Sequence, residues 1–184
     1  MAQTQVSYTD KVENSGATND GKVQAVDMNE LKSVVNANAT DTGTRFGNIE
    51  GTAVKIGSNA GLSGQLGRAV AVGGLAGQTN QGADSVAIGY DSANTGQGYG
   101  AVAIGLTAGK TNQSQDSISV GRLAGNDTQG GNSVAVGYQA GKSSQGSSSI
   151  AVGANAGTTS QGDRAIAIGV QAGNNTQSND SIAI

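Results

Sequence analysis

The sequence contains no cysteine, proline, histidine or tryptophan. Without cysteine there is no disulfide framework and no thiolate metal site. Without histidine the commonest general base and metal ligand is missing, so the plentiful serine and aspartate have no partner with which to build a nucleophilic centre. The absence of proline, with no three-residue glycine period, excludes collagen. Aromatic side chains are few: Tyr8, Phe46, Tyr90, Tyr99 and Tyr138. Leu, Ile, Val and Phe together supply 33 of 184 residues, about 18%, below the level that builds a globular core of ordinary size. A net charge of only −3 does not meet the charge condition for disorder. No apolar run approaches the ~18 residues of a membrane helix, and the opening MAQTQVSYTDKVENSGATND has no apolar signal-peptide core. Ten basic residues against thirteen acidic ones leave no basic footprint for nucleic acid. These deficits predict a protein that is not an enzyme, carries no cofactor or metal, binds no nucleic acid and does not insert into a membrane.

What the chain has in quantity is glycine, 31 residues, and a repeat. From residue 53 the sequence recurs every 16 residues without insertion or deletion, in eight full units starting at Ala53, Ala69, Ser85, Ala101, Ser117, Ser133, Ser149 and Ala165; a ninth stops after Ser181–Ile184. The second and fourth positions are always Val or Ile, from Val54 and Ile56 to Ile182 and Ile184. Ala or Ser lies before and between them, except Lys55. That alternation predicts one short strand per unit. The fifth position is always glycine, placed where the strand must turn. The eighth and ninth are Ala-Gly in all units but one, which has Ser92-Ala93, and the thirteenth is always glutamine, from Gln65 to Gln177.

One β-branched strand per short, strict period predicts a parallel β-roll or solenoid, with equivalent residues stacked about 4.8 Å apart. Two readings of the glutamines stay open: solvated turn residues, or an amide ladder along the axis. Two large aliphatics per coil make a thin core against roughly 1–2 kcal/mol of backbone entropy per residue. A lone column would be marginal. The small Ala, Ser and Gly on the other strand face suggest columns packed side by side through those residues, hence a homo-oligomer.

Residues 1–52 read as a separate anchoring or capping region. Asn19-Asp20-Gly21 is a turn signal. A short helix is predicted from about Met28 to Asn36, with Asp27 as N-cap, Glu30 closing a capping box, and Met28, Leu31, Val34 and Val35 forming one apolar stripe. That stripe is a candidate for docking on a partner or for packing against its symmetry mates to cap the oligomer. Residues 39–52 are a connector, with Phe46 and Ile49 expected to cover the open end of the first coil. At the other end the sequence stops inside a strand at Ile184, and an open β-edge there leads to the expectation that the natural protein continues.

Other motifs are weaker. Gly98–Ala103 matches a loose dinucleotide fingerprint but no βαβ unit surrounds it. Asp84, Asp116 and Asp180 share the last unit position, two or four coils apart, too far to hold one ion. Tyr90, Tyr99 and Tyr138 fall at variable, outward positions and are candidates for surface contact. The threonines wander between neighbouring positions, unlike an ice-binding array.

Units such as SVAIGYDSA (85–93), SVAVGYQAG (133–141) and AIAIGVQAG (165–173) resemble the head repeats of trimeric autotransporter adhesins, the YadA-like family. The resemblance covers residues 53–184 and implies a left-handed parallel β-roll, three chains to a trimer, that binds host surfaces. The 16-residue unit and its Ala-Gly and Gln positions depart from that family, and this sequence has no neck, coiled-coil stalk or anchor. Similar glutamine-containing repeats occur in phage tail and head fibres, and residues 22–38, with Asp27-Met28-Asn29-Glu30, resemble the N-terminal segment of such fibres. The resemblance implies a structural fibre protein located in the virion and assembled in the host cytoplasm, with other virion proteins and the host cell surface as partners. The alternative it leaves is the head of a trimeric adhesin on a bacterial surface.

Overall fold

Sixteen residues make one turn of a parallel β-solenoid, so each position of a coil lies beside its counterpart in the next. The computed structural model describes residues 48–50 and 53–184; the turn signal at Asn19-Asp20-Gly21, the predicted helix from about Met28 to Asn36 and Phe46 lie outside them. The described residues form strands and turns, with no helix.

The main sheet has ten strands. These are β1 (Asn48–Glu50), β2 (Ala53–Ile56), β3 (Val70–Val72), β5 (Val86–Ile88), β7 (Val102–Ile104), β8 (Ile118–Val120), β9 (Val134–Val136), β11 (Ile150–Val152), β13 (Ile166–Ile168) and β14 (Ile182–Ala183). From β2 onward the pairing is parallel and in register by one unit, as in Val70↔Val86 and Val86↔Val102. A second file of pairing runs through the glutamine positions. It contains β4 (Thr79–Gln81) with β6 (Thr95–Gln97) and β10 (Ser143–Gln145) with β12 (Thr159–Gln161), joined by single bridges at Thr95↔Thr111, Gln113↔Gln129 and Gln129↔Gln145.

At the first edge of the main sheet the polarity changes: strand β1 runs antiparallel to β2, with Ile49 beside Val54, so the parallel stack begins at β2.

The interior of the coil is lined by its smallest side chains. Ala71, Ala87, Ala103, Ala135, Ala151 and Ala167, at the third position, are fully buried. So are the Ala or Ser residues at the first and eighth positions from Ala69 to Ala165. The first-position serines are satisfied locally: Ser85, Ser117 and Ser149 donate to the carbonyls of Gly82, Ser114 and Gly146 at 2.6, 2.6 and 2.7 Å. That local bond is why Ala and Ser interchange there. Facing the alanines from across the coil is the glutamine, and Gln81, Gln113 and Gln129 are among the largest fully buried side chains.

This overturns the expectation that small residues mediate packing between columns. A 16-residue coil encloses only a narrow lumen, which a methyl row and one amide already fill at the density of protein interiors. Because strand side chains alternate, the Val and Ile at positions two and four are then forced outward.

Candidate association surface

The buried glutamines explain how so polar an interior holds. Each amide nitrogen donates to the carbonyl of the second-position residue of its own coil: Gln81 to Val70 at 2.8 Å, Gln113 to Val102 at 2.8 Å, Gln145 to Val134 at 2.9 Å, Gln177 to Ile166 at 2.7 Å. The amide therefore clamps one wall of the coil to the other. Along the axis Gln65 donates to the Gln81 oxygen at 2.9 Å, Gln97 to Gln113 at 3.2 Å and Gln129 to Gln145 at 3.1 Å. The glutamines are thus stacked and buried, with amide-to-amide bonds in three separate pairs rather than in one continuous ladder, and the solvated reading falls. A buried amide without such partners would cost about 1–3 kcal/mol. The side-chain oxygens of Gln65, Gln97, Gln161 and Gln177 remain without a hydrogen-bond donor, whereas that of Gln129 accepts from the Ser119 hydroxyl at 2.6 Å.

Glycine is preferred at the ninth position of the coil, which the third unit fills with a buried Ala93 at φ 44°, and required at the fifth. At the ninth position, an added Cβ on Gly109 or Gly141 would stand 2.5 Å from the glutamine oxygen of the same coil, so the Ala-Gly and Gln signatures are one device. At the fifth, Gly105 has φ +130°, and a Cβ there would meet the backbone of Gly121 at 2.8 Å; the glycines stack directly on one another, in a backbone region closed to other residues.

With the lumen filled, the two aliphatic ladders lie on the outside. None of the Val or Ile residues at positions two and four is buried, and Ile56, Ile88, Ile104, Ile118 and Ile168 are exposed, Ile104 at 38%. In-register parallel pairing makes both ladders continuous from Val54 and Ile56 to the last coil. Soluble monomers rarely present a contiguous apolar face of this kind. Away from the ladders, single apolar side chains such as Leu62, Leu106 and Val170 are exposed among polar ones, and ion pairs tie some coils to the next. Arg68 pairs with Asp84 and Arg164 with Asp180, each Arg also bonding the second carboxylate oxygen, at 2.7 and 2.8 Å. These hydrogen bonds hold both carboxyl groups below their ordinary range. Lys110 bonds Asp91 at 2.8 Å.

The three tyrosines are exposed, at 58%, 56% and 40% for Tyr90, Tyr99 and Tyr138. They do not converge. Tyr90 and Tyr138 occupy the corner just after the strand, three coils apart, and Tyr99 the opposite corner. The Arg122 guanidinium lies 4.8 Å from the centre of the Tyr138 ring. Gly98–Ala103 is a turn running into β7, the wrong setting for a phosphate-binding loop. Of the aspartates sharing the last position, Asp84 and Asp180 face arginines of the preceding coil rather than one another. Met28, Leu31, Val34 and Val35 lie outside the described residues. No family model, curated protein or solved structure matches the chain.

Proposed function

We propose that the chain is a structural fibre protein of a phage virion, a homotrimer of left-handed parallel β-rolls. Its N-terminal region attaches to the particle, and its shaft projects toward the host for adhesion. The observation that carries this reading is the pair of continuous aliphatic ladders on the outside of a coil whose interior is already full. A column with that surface needs partners of matching period, and copies of itself supply them. Covering a side chain already partly buried contributes about 1 kcal/mol, repeated twice per coil. The repeat motifs and the Asp27–Glu30 segment resemble those of fibres and of adhesin heads, which supports the same architecture. A rod without catalytic groups acts mechanically, by stiffness and reach.

The test is an image of the assembled particle with an antibody against residues 1–47. Label at the base of a fibre supports the reading. Label on a bacterial envelope, with none on particles, would replace it with the alternative, a trimeric surface adhesin.

A further inference from the structure

We propose that the fifth coil, residues 117–132, is a joint at which the column opens first, leaving two more tightly bonded blocks on either side. The inference concerns a single column and holds whatever the assembly does. Three observations converge on this coil.

The first is backbone. At the twelfth position the turn uses a left-handed residue, and Asn80, Asn112, Ser144 and Ser160 have φ between 49° and 56°; Gly64 and Gly96 do the same. The fifth coil has Thr128 there, outside the left-handed set, as expected of a β-branched residue. Thr107, at another corner, does accept φ 54°, with its hydroxyl bonded to the Leu106 carbonyl at 2.7 Å, so the left-handed turn is costly for threonine rather than closed to it.

The second is the hydrogen bonding that follows. In regular coils the twelfth N–H donates to the eleventh carbonyl of the coil before, as in Asn80 to Ser63 at 2.8 Å and Asn112 to Thr95 at 2.9 Å. Around Thr128 the donor slips by one residue: Gln129 N–H bonds the Asn112 carbonyl at 3.3 Å, and Gln145 N–H bonds the Thr128 carbonyl at 3.2 Å. One bond at each junction of the fifth coil is thus long, both of them at this corner, while the other bonds to its neighbours, such as Ile118 to Ser133 at 2.9 Å and Gly130 to Gln145 at 2.8 Å, are ordinary. Thr176, also β-branched at this position, brings the same slip, Gln177 to Ser160 at 3.1 Å. Between β6 and β10 the second file thins from paired strands to single bridges, through the fourth and fifth coils.

The third is the lumen. The buried alanines form two clusters, one from Ala60 to Ala108 and one from Ala124 to Ala167. The break falls where Ser119 replaces alanine at the third position. Ser119 marks the boundary between the two alanine clusters, but its hydroxyl satisfies the Gln129 oxygen within its own coil, so the loosening rests on the backbone bonds around Thr128 and not on the serine. A column that yields at one coil bends or admits a protease there while its flanks stay intact.

Hydrogen exchange read by mass spectrometry on the full chain tests this. Peptides covering residues 127–129 and 143–145 should exchange about tenfold faster than those covering 79–81 and 95–97. Thr128→Asn, which allows the left-handed turn, should slow the first pair by a similar factor and leave the second unchanged. Uniform protection across coils two to seven, or no response to Thr128→Asn and to Thr128→Gly alike, would overturn the proposal.

Discussion

The two faces of each strand do opposite things. Inward, Ala, Ser and one Gln leave no room: Ala103 is fully buried and Gln113 nearly so. Outward, Val102 and Ile104 pack on their neighbours along the axis, but nothing among the described residues covers them. The usual arrangement, large apolar residues inside and small or polar ones outside, is reversed. What the difference teaches is that coil closure and stability have separate sources. Closure comes from glycine stacking and the glutamine clamp, both fixed by geometry. Hydrophobic stabilisation is deferred to whatever meets the outer face.

The comparison breaks most completely if the interior is enlarged. Gly105→Ala puts a methyl 2.8 Å from the Gly121 backbone at φ +130°, and the expected loss is about 3 kcal/mol or more, seen as a large fall in Tm. Gln129→Leu is the next test. It keeps the volume but removes the bonds to Ile118 and Gln145 and strands the Ser119 hydroxyl; unfolding by denaturant should show a loss of about 3 kcal/mol. If the leucine variant were as stable as the parent, the glutamine would be a filler and not a clamp. Ala151→Ser sharpens the same point with the opposite sign. Ser119 already shows that a third-position hydroxyl reaches the glutamine oxygen, and the oxygen of Gln161 has no donor, so the substitution should raise stability by about 1 kcal/mol.

The smallest effect belongs to the outer charges. Asp84 and Asp180 have folded pKa values lowered by their arginines from the ordinary 3.8. Their contribution is therefore present above that value and is lost as pH falls through the depressed one. Exposed pairs of this kind are weak and screened by salt, so a Tm series from pH 6 to pH 2 should differ only slightly between the parent and Arg68→Gln, and the difference should vanish at the acid end.

Much of the coil was legible from spacing alone. The 16-residue period fixed the register, as Val86 beside Val102 confirms, and the invariant glutamine suggested its own stacking. Orientation was not legible from alternation, because a period of two reads the same whichever face is turned inward. The information was present elsewhere: a 16-residue perimeter leaves a lumen that Ala103 and Gln113 fill and that Val102 would overfill. The salt bridges escaped because Asp84, Asp116 and Asp180 were compared with one another, although Arg68 and Arg164 stand one unit before two of them. Thr128 and Thr176 stand among Gly, Asn and Ser at the twelfth position, but what sets them apart is legible only from the φ values of their counterparts. The stripe at Met28, Leu31, Val34 and Val35 lies outside the described residues, so the sequence reading is all that bears on it.

The central claim is that the aliphatic ladders exist to be covered by copies of the chain. Light scattering of the purified full chain measures this directly. The account predicts an assembly of three 17.9 kDa chains that falls apart when Ile88, Ile104 and Ile168 are replaced by lysine. A stable, soluble monomer of 17.9 kDa for the parent protein would contradict it.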